Sequence, residues 1–309
     1  WWGRWTGQGS CAAMEGNPLV GLVEDMCPPE ELEERQRLRQ LDPLEWCHGT
    51  DPRKPEADPR LATKRYQRSA ADRAYTGKEV RTPEACLRTM EFLVREVLDL
   101  DRRARSSSAP RFAVEPKAAQ IYDYIRNRSR AVRVDLFLQG AEVEASRAFI
   151  EVHEWCFFFE LLSLGLLAGA DADYNEALGL RALGQVSEPL LAAYGAARAR
   201  HASGGTGAAS TYASPREPFV QRCTILLMAS AAPEQLPSQL ARLPSQLLRA
   251  PPVAWAARAA AAAVAGDDAG LLRRYREADL LSAAALAGAA CRARGRMLAS
   301  LQRAGAPSL

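Results

Sequence analysis

Histidine is scarce in this sequence, and the patterns typical of enzyme active sites are missing. Only three histidines occur among 309 residues, at the widely separated positions 48, 153 and 201. His153 precedes Glu154, but a zinc-protease helix needs a second histidine four residues after the first, and Phe157 occupies that position. No glycine-rich phosphate loop ending in Lys and Ser or Thr occurs. The sequence therefore predicts a protein that is not an enzyme, takes no small-molecule substrate and holds neither a metal nor a cofactor.

Paired cysteines, a large net charge and a long apolar run are missing too. Seven cysteines are scattered without a C-x-x-C pair, so neither a zinc knuckle nor a disulfide framework is predicted, and a reducing compartment fits best. The 40 Lys and Arg residues nearly balance the 37 Asp and Glu residues, so any contact with nucleic acid must be local. The most apolar run, Trp155 to Ala170, contains Glu160 and is shorter than the roughly 20 residues that cross a bilayer. We expect this run to be a buried helix, with no membrane insertion.

Alanine and leucine are abundant, and their pattern predicts helices. Hydrophobic residues make up 48% of the chain and aromatic residues only 7%, a composition that favours helix over sheet. No repeat of fixed period is present, so any superhelix must be of a degenerate, TPR-like kind. The last third of the chain predicts stacked helix pairs. Its predicted helices are Glu234–Leu248, Pro252–Ala265, Ala269–Ala278 and Ser282–Arg303.

Composition divides the chain into three parts. Residues 1–20 are predicted to be disordered, 21–140 to form the N-terminal part of a helical domain, and 141–309 to form a helical-repeat part. Three segments interrupt the helices: 42–59, rich in Pro, Asp and Gly; 101–115, which begins with a basic serine-rich stretch; and 198–216, rich in Gly, Ser and Ala. We expect an irregular connection in the first, a loop in the second and a flexible loop in the third.

Local signals place the helices of the N-terminal part. Prolines followed by glutamates suit a first helical turn, so a helix is predicted from Pro28 to Gln40. Helix is predicted to resume near Arg60, and another helix opens at Pro83. In the helix that follows Pro116, the apolar residues fall in one narrow stripe at helical angles, which predicts deep packing. These residues are Ile121, Ile125, Val132 and Leu136.

Basic residues on that same helix are the strongest candidates for binding. Arg126, Arg130 and Arg133 lie within about 60° of one another on a helix of 3.6 residues per turn, and Arg128 lies among them in sequence. Such a cationic stripe can hold a phosphate backbone or an acidic partner peptide through charge-assisted hydrogen bonds. The alternative is structural, with these arginines paired to nearby carboxylates. The carboxylates in reach are those of Asp123, Asp135 and Glu142.

A second basic group precedes this helix in the sequence. It consists of Lys64, Arg65 and Arg68. Because no exposed aromatic residues are predicted to alternate with these charges, the group suits phosphate contact or steering better than base recognition. It joins the helix arginines as a candidate site for RNA or an acidic partner.

Three blocks of sequence, taken in order, resemble one known family. The first is G-L-V-E-D-M-C-P, from Gly21 to Pro28; the second is K-R-Y-Q-R-S-A-A, from Lys64 to Ala71; the third runs from Tyr122 to Gln139. Together they resemble the Sac-three/GANP domain family, and the third block is specific to it. The residues that carry the resemblance are expected to be structural. They are Met26, Cys27, Pro28, Tyr66, Ser69, Ala70, Ala71, Tyr122, Asp123, Ile125, Asp135 and Gln139.

The chain departs from the family pattern at a few positions. Leu22 and Val23 replace the usual small residue and cysteine of the first block, and Asn127 replaces the acidic residue before Arg128. The family domain continues into a winged helix, which we expect to be truncated or absent here, because the sequence stops at Leu309 soon after its last long helix.

The resemblance implies a fold and a role. The fold is a TPR-like and PCI-like right-handed helical superhelix. The role is that of a non-enzymatic scaffold of messenger-RNA export at the nuclear pore. It implies partnership with a PCI-domain subunit and a small acidic PCI-associated peptide, with RNA bound on a joint basic surface. The implied location is the nucleus, in the region of the nuclear envelope and pore, and also the cytoplasm.

Two other functions stay open. A related short animal member of the family is tied to the centrosome and spindle, so the alternative is a centrosomal protein that acts in centrosome duplication and mitotic progression. The third is a degenerate or partial gene product, suggested by the opening W-W-G-R-W without Met and by the missing winged helix.

Overall fold

The structure is a computed structural model that describes residues 19–67, 75–99, 116–140, 143, 146–170, 174–202 and 213–305. Regular structure within these ranges is helical, and the extended pairings in them are two isolated β-bridges, Val23 with Arg81 and Trp46 with Ala57. The prediction of an all-α chain is confirmed. None of the helices in these ranges has the length and apolar character needed to cross a membrane.

Eleven α-helices lie in the described part of the chain. They are α1 Pro29–Arg37, α2 Pro83–Phe92, α3 Ala118–Leu138, α4 Arg147–Leu167, α5 Glu176–Ala202, α6 Glu217–Ala231, α7 Leu236–Ala241, α8 Ser245–Arg249, α9 Pro251–Ala265, α10 Asp268–Glu277 and α11 Leu280–Gly305. A π-helical turn, Leu93–Leu98, continues α2, and 3₁₀ turns lie at Pro43–Glu45, Gly77–Glu79 and Pro233–Gln235.

The chain divides into two compact units. One comprises residues 16–156 and 188–214, and the other includes 157–187 and 215–309. Several predictions fall outside the described residues. They are most of the segment 1–20, all of 101–115, and Arg68, Ser69, Ala70 and Ala71.

Helix α3 is at the centre of the first unit. Its predicted apolar stripe is buried, with Ile125, Val132 and Leu136 fully enclosed and Ile121 nearly so. Helix α2 and the π-helical turn pack against it. Helix α2 begins where the sequence predicted, because the side-chain oxygen of Thr82 accepts a hydrogen bond from the amide of Ala85 and so satisfies a free donor of the first turn.

The prediction that helix resumes near Arg60 is wrong. Residues 62–67 have no regular secondary structure, and four successive backbone amides donate to acceptors far away in the sequence. The amide of Thr63 donates to Glu45 Oε1, that of Lys64 to the Met26 carbonyl, that of Arg65 to Glu31 Oε1 and that of Tyr66 to Asn127 Oδ1. Amides bonded in this way cannot form the i to i−4 bonds of a helix. We call residues 62–67 the strap.

Two further boundaries differ from prediction. Helix α5 continues to Ala202, so the segment 198–216 predicted as a flexible loop begins inside a helix. The single helix predicted over Glu234–Leu248 is two helices, α7 and α8. Pro244 lies between them, and its ring nitrogen has no hydrogen to donate to a continuous helical ladder.

In the second unit, α6 packs against α9 and α11. Helix α10, which lies between α9 and α11 in the sequence, contacts both of them. Small residues allow these helices to approach closely, since Ala256, Ala259 and Ala260 of α9 are completely buried. Gly165 in α4 shows the same closeness, because a Cβ there would lie 2.6 Å from Cβ of Ala284 in α11. Helices that follow one another in the sequence, such as α9 and α10 or α10 and α11, pack together, in agreement with the predicted helix pairs. The superhelical shape stays a prediction.

Candidate functional site on helix α3

A buried carboxylate near the end of α3 binds two cations. Asp135 Oδ1 lies 2.6 Å from Lys64 Nζ, and Asp135 Oδ2 lies 2.7 Å from Arg81 Nε. The Asp135 and Arg81 side chains are completely buried, and that of Lys64 is 11% exposed. Because the three charges are out of contact with water, each depends on the others for compensation. We call this set the Asp135 network.

The Asp135 network also holds the backbone of two non-helical segments. Arg81 Nη1 donates to the carbonyl of Met26, at 3.2 Å, and Lys64 Nζ donates to the carbonyl of Glu79. Gln139 Nε2 donates to the carbonyl of Arg81, at 3.0 Å. These bonds satisfy carbonyl groups that no helix or sheet provides for, and they fix both segments against α3.

Glycine is required where the first of these segments approaches the second. A Cβ at Gly21 would collide with the backbone carbonyl of Arg81. The amide of Val23 donates to the carbonyl of Val80, and the amide of Thr82 donates to the carbonyl of Val23. This close pairing explains why the first block of the family pattern opens with Gly21.

A second buried carboxylate, Glu45, binds two arginines. Its oxygens lie 2.6 Å from Arg35 Nη1 and 3.2 Å from Arg128 Nη2, and the Glu45 side chain is completely buried. Glu45 also accepts from the amide of Thr63, at 3.1 Å, and from the hydroxyl of Tyr124, at 3.4 Å. This Glu45 network joins α1, the 3₁₀ turn Pro43–Glu45, the strap and α3.

Sulfur from the family motif takes part in the Glu45 network. Arg35 Nη2 donates to Cys27 Sγ, at 3.3 Å, and to the carbonyl of Thr63, at 3.1 Å. Burial, reinforced by the charge of Glu31, raises the pKa of the Cys27 thiol to about 11. The thiol is therefore neutral at pH 7, and its role is that of a weak acceptor in the core.

Two other buried cysteines and one buried histidine are also neutral at pH 7. Burial raises the pKa of Cys86 and of Cys223 to about 12. Burial, and next the positive charge of Arg133, lowers the pKa of His153 to about 3. In the described ranges no group of three or more His, Cys, Asp and Glu side chains is arranged to hold a metal ion.

Burial divides the predicted basic residues into two classes. Lys64, Arg128 and Arg133 are buried, with 8%, 3% and 9% of their surfaces exposed. Arg126 is half-buried, and Arg65 and Arg130 are exposed. The stripe predicted from helical angles is thus not uniformly accessible, because its arc of about 60° crosses the boundary between the solvent face of α3 and its packed face. Lys64 and Arg128 therefore have the structural role that was the alternative to a binding role. Lys64 is paired with Asp135, and Arg128 is paired with Glu45.

The accessible arginines lie against tyrosine rings. The Arg130 guanidinium lies 4.0 Å from the centre of the Tyr66 ring, and that of Arg126 lies 5.6 Å from the centre of the Tyr122 ring. Arg65 precedes Tyr66 on the strap, whose position is fixed by the two networks. Contacts of this kind help to hold a guanidinium in place at the surface. We call Arg65, Arg126 and Arg130 the basic surface.

A groove of about 470 Å³ borders the basic surface. Arg65 and Asn127 line it, and Arg128 and Tyr124 lie at its inner side. Asp42 and Asp123 contribute acidic groups to the same groove. The groove therefore carries charges of both signs.

The family motif residues prove to be mostly internal. Met26 and Cys27 supply acceptors to the networks, Asp135 and Gln139 belong to one of them, and Pro28 is the residue that precedes α1. No local pattern points to Arg35, Thr63, Glu45 or Arg81 as site residues. Charged residues are usually exposed, and the partners of these four lie up to 83 residues away in the chain.

The comparison with known families agrees with this geometry. A sequence model of the SAC3/GANP family matches residues 26–308, nearly the whole chain. The chain belongs to the SAC3/GANP family. The resemblance predicted from three blocks is confirmed, and in this SAC3/GANP chain all three blocks meet at the Asp135 network, through Met26, Lys64 and Asp135. The SAC3/GANP family is a family of non-catalytic scaffolds.

Proposed function

We propose that this SAC3/GANP chain is a helical scaffold of messenger-RNA export at the nuclear pore and that its basic surface contacts RNA. The observation that supports the proposal is the contrast between the two sides of α3. On one side two buried ion networks fix the helix and the strap; Arg126 and Arg130 on the other side of α3, and Arg65 on the strap, reach solvent. A rigid support keeps long cationic side chains in register with a phosphate backbone.

The mode of binding that fits the basic surface is contact with phosphates. The ring of Tyr66 is already covered by Arg130, and Tyr122 and Tyr124 are buried. Base recognition by stacking needs open aromatic faces, so the basic surface is expected to bind RNA without preference for sequence.

The proposed protein partners are a PCI-domain subunit and a small acidic peptide associated with it. Support comes from family membership and from an apolar edge at the end of α11. Met297, Leu298 and Leu301 are 40%, 61% and 67% exposed there, and exposed apolar clusters are typical of interaction sites. The proposed location is the nucleus, at the envelope and pore, with a cytoplasmic pool.

Salt-dependent RNA binding tests the basic surface. The variant Arg65→Gln, Arg126→Gln, Arg130→Gln is compared with Arg242→Gln, Arg249→Gln, Arg258→Gln, which removes the same charge from exposed sites in the second unit. The probe is a fluorescent single-stranded oligouridine, followed by anisotropy. Each lost phosphate contact lowers the slope of log K against log salt by about 0.7, so the first variant should lose about 2 in slope. Equal slopes for the two variants would contradict the proposal.

Imaging separates the proposed location from its alternative. A fluorescent fusion of the chain should mark the nuclear rim throughout interphase. A paired focus that duplicates before mitosis would favour the centrosomal function and count against the export scaffold.

A further inference from the structure

Arg133 differs from the other buried arginines of the first unit. Arg35, Arg81 and Arg128 each bind a carboxylate. Arg133 is only 9% exposed, yet within the described ranges it forms no hydrogen bond or ion pair, and its Nε is buried without an acceptor. A guanidinium nitrogen held out of water without an acceptor is unfavourable, and a mostly buried guanidinium without an anion is uncompensated. The side chain therefore lacks a partner that its position calls for.

The aromatic neighbours of Arg133 supply no anion. Phe149 and His153 of α4 are stacked, with ring centres 4.0 Å apart, and Phe137 meets both rings edge-on at 5.5 Å and 5.8 Å. His153 Nδ1 is bonded to the carbonyl of Phe149, at 2.8 Å, and its low pKa keeps the ring neutral. Arg133 thus lies beside an aromatic cluster that contains no anion.

An open aromatic surface lies next to Arg133. Phe137 follows it by one helical turn and is 44% exposed, although its ring contacts the cluster. Toward the start of α3 the same side of the helix continues into Arg130 and Arg126. From residue 126 to 137 this strip is about 16 Å long at 1.5 Å per residue. It combines positive charge, one guanidinium without an anion, and one exposed apolar ring.

We propose that Arg133 and Phe137 form a docking point for an acidic and apolar segment of a partner protein. A Glu or Asp carboxylate of that segment accepts hydrogen bonds from the Arg133 guanidinium, and an adjacent apolar side chain covers the exposed part of Phe137. The docking point adjoins the basic surface on the same side of α3, and the proposal does not depend on RNA binding there.

Charge and shape favour a protein segment over RNA at this point. A carboxylate on a flexible side chain can reach a guanidinium that is nine-tenths buried, and it matches the planar geometry of that group. Arg and aromatic residues are also enriched where protein partners bind most strongly. RNA bound through stacking uses a row of open aromatic rings, whereas Phe137 is the one open ring among the described aromatic residues of α3.

The free chain provides the first test. If Arg133 has no internal partner, Arg133→Met should leave the midpoint of thermal unfolding unchanged or raise it, because an unpaired charge is removed and the length of the side chain is kept. The matched variant Arg128→Met breaks the Glu45 network and should lower the midpoint clearly. An equal loss in the two variants would show that Arg133 is paired internally and would overturn the proposal.

A peptide array provides the second test. Extended chain rises about 3.3 Å per residue, so about five residues cover the strip, and peptides of about ten residues are long enough. The array combines Asp or Glu with Leu or Phe in varied order, with Asn or Gln versions as controls. The best binder is then measured by anisotropy against the full chain and its variants.

The proposal predicts a defined set of losses. Arg133→Met should weaken the peptide by about thirty-fold or more, in line with loss of a buried charge partner, and Phe137→Ser by about ten-fold. Arg258→Gln, which removes one exposed charge from α9, should have little effect. If no acidic peptide binds better than its amide control, or if Arg133→Met weakens oligouridine and not the peptide, the proposal is wrong.

Discussion

Neutralising Asp135 should destabilise the first unit more than any surface change. Asp135→Asn keeps the size of the side chain and removes the charge that Lys64 and Arg81 share at 2.6 and 2.7 Å. Breaking one partner out of a buried ion pair typically costs about 3 to 5 kcal/mol, because the remaining charge stays out of water. Here two cations remain, so we expect at least about 3 kcal/mol, a large part of the 5 to 15 kcal/mol that stabilises most proteins.

The assay is unfolding by urea, followed by circular dichroism. Because the chain has two units, unfolding of the whole chain need not be two-state, so hydrogen exchange is measured in parallel. The amides of Lys64 and Thr82, which donate to the carbonyls of Met26 and Val23, should lose protection in Asp135→Asn. Asp268→Asn, which breaks an accessible pair with Arg296 in the second unit, is the control and should change little. A loss below about 1 kcal/mol for Asp135→Asn would refute the structural role of the Asp135 network.

Two further predictions concern pH and packing. Folding lowers the pKa of His153 from 6.5 to about 3, so the unfolded chain binds more protons than the folded chain below pH 6.5. The contribution of His153 to the free energy of unfolding is therefore fully present above pH 6.5 and is lost as the pH falls. Between pH 6.5 and 4.5 the free energy of unfolding in urea should fall by about 2 kcal/mol more in the parent chain than in His153→Phe. Parallel plots of this free energy against pH would contradict the prediction. Gly165→Ala should destabilise by about 1 to 3 kcal/mol in thermal unfolding, because its Cβ meets Ala284. Gly184→Ala, which meets no atom within 4 Å, should not destabilise; a loss there as large as at Gly165 would show that packing is not the cause.

Helices were predictable from local patterns. The buried stripe of α3 follows from residue spacing, since Ile125 and Val132 recur at helical angles, and the start of α2 follows from Thr82 and Pro83. Each of these signals lies within a few residues of the structure that it specifies.

The strap and the buried networks were not predictable in this way. The amides of the strap donate to acceptors that α3, α1 and the 3₁₀ turn bring to it, so its non-helical path depends on the rest of the unit. Glu45 lies in a segment whose composition predicts only an irregular connection. Its partner Arg128 is 83 positions away. No local pattern contains information about such a pair.

Exposure was the least predictable property of the candidate site. Helical angles place Arg126, Arg130 and Arg133 on one arc, but they do not show where a neighbouring helix covers it. Helix α4 brings Phe149 and His153 to the end of the arc, and Arg133 is buried there while Arg130 is exposed. The same chemical pattern therefore divides into an exposed part and a buried part.

Co-purification from the cells that make the chain tests the export scaffold most directly. The tagged chain and its Arg65→Gln, Arg126→Gln, Arg130→Gln variant are purified in parallel, with bound proteins identified by mass spectrometry and bound RNA quantified before and after salt washing. We predict a PCI-domain subunit with both chains, and salt-sensitive RNA that is reduced in the variant. Recovery of centrosomal proteins without RNA, or of no PCI-domain subunit even at low salt, would contradict the proposal.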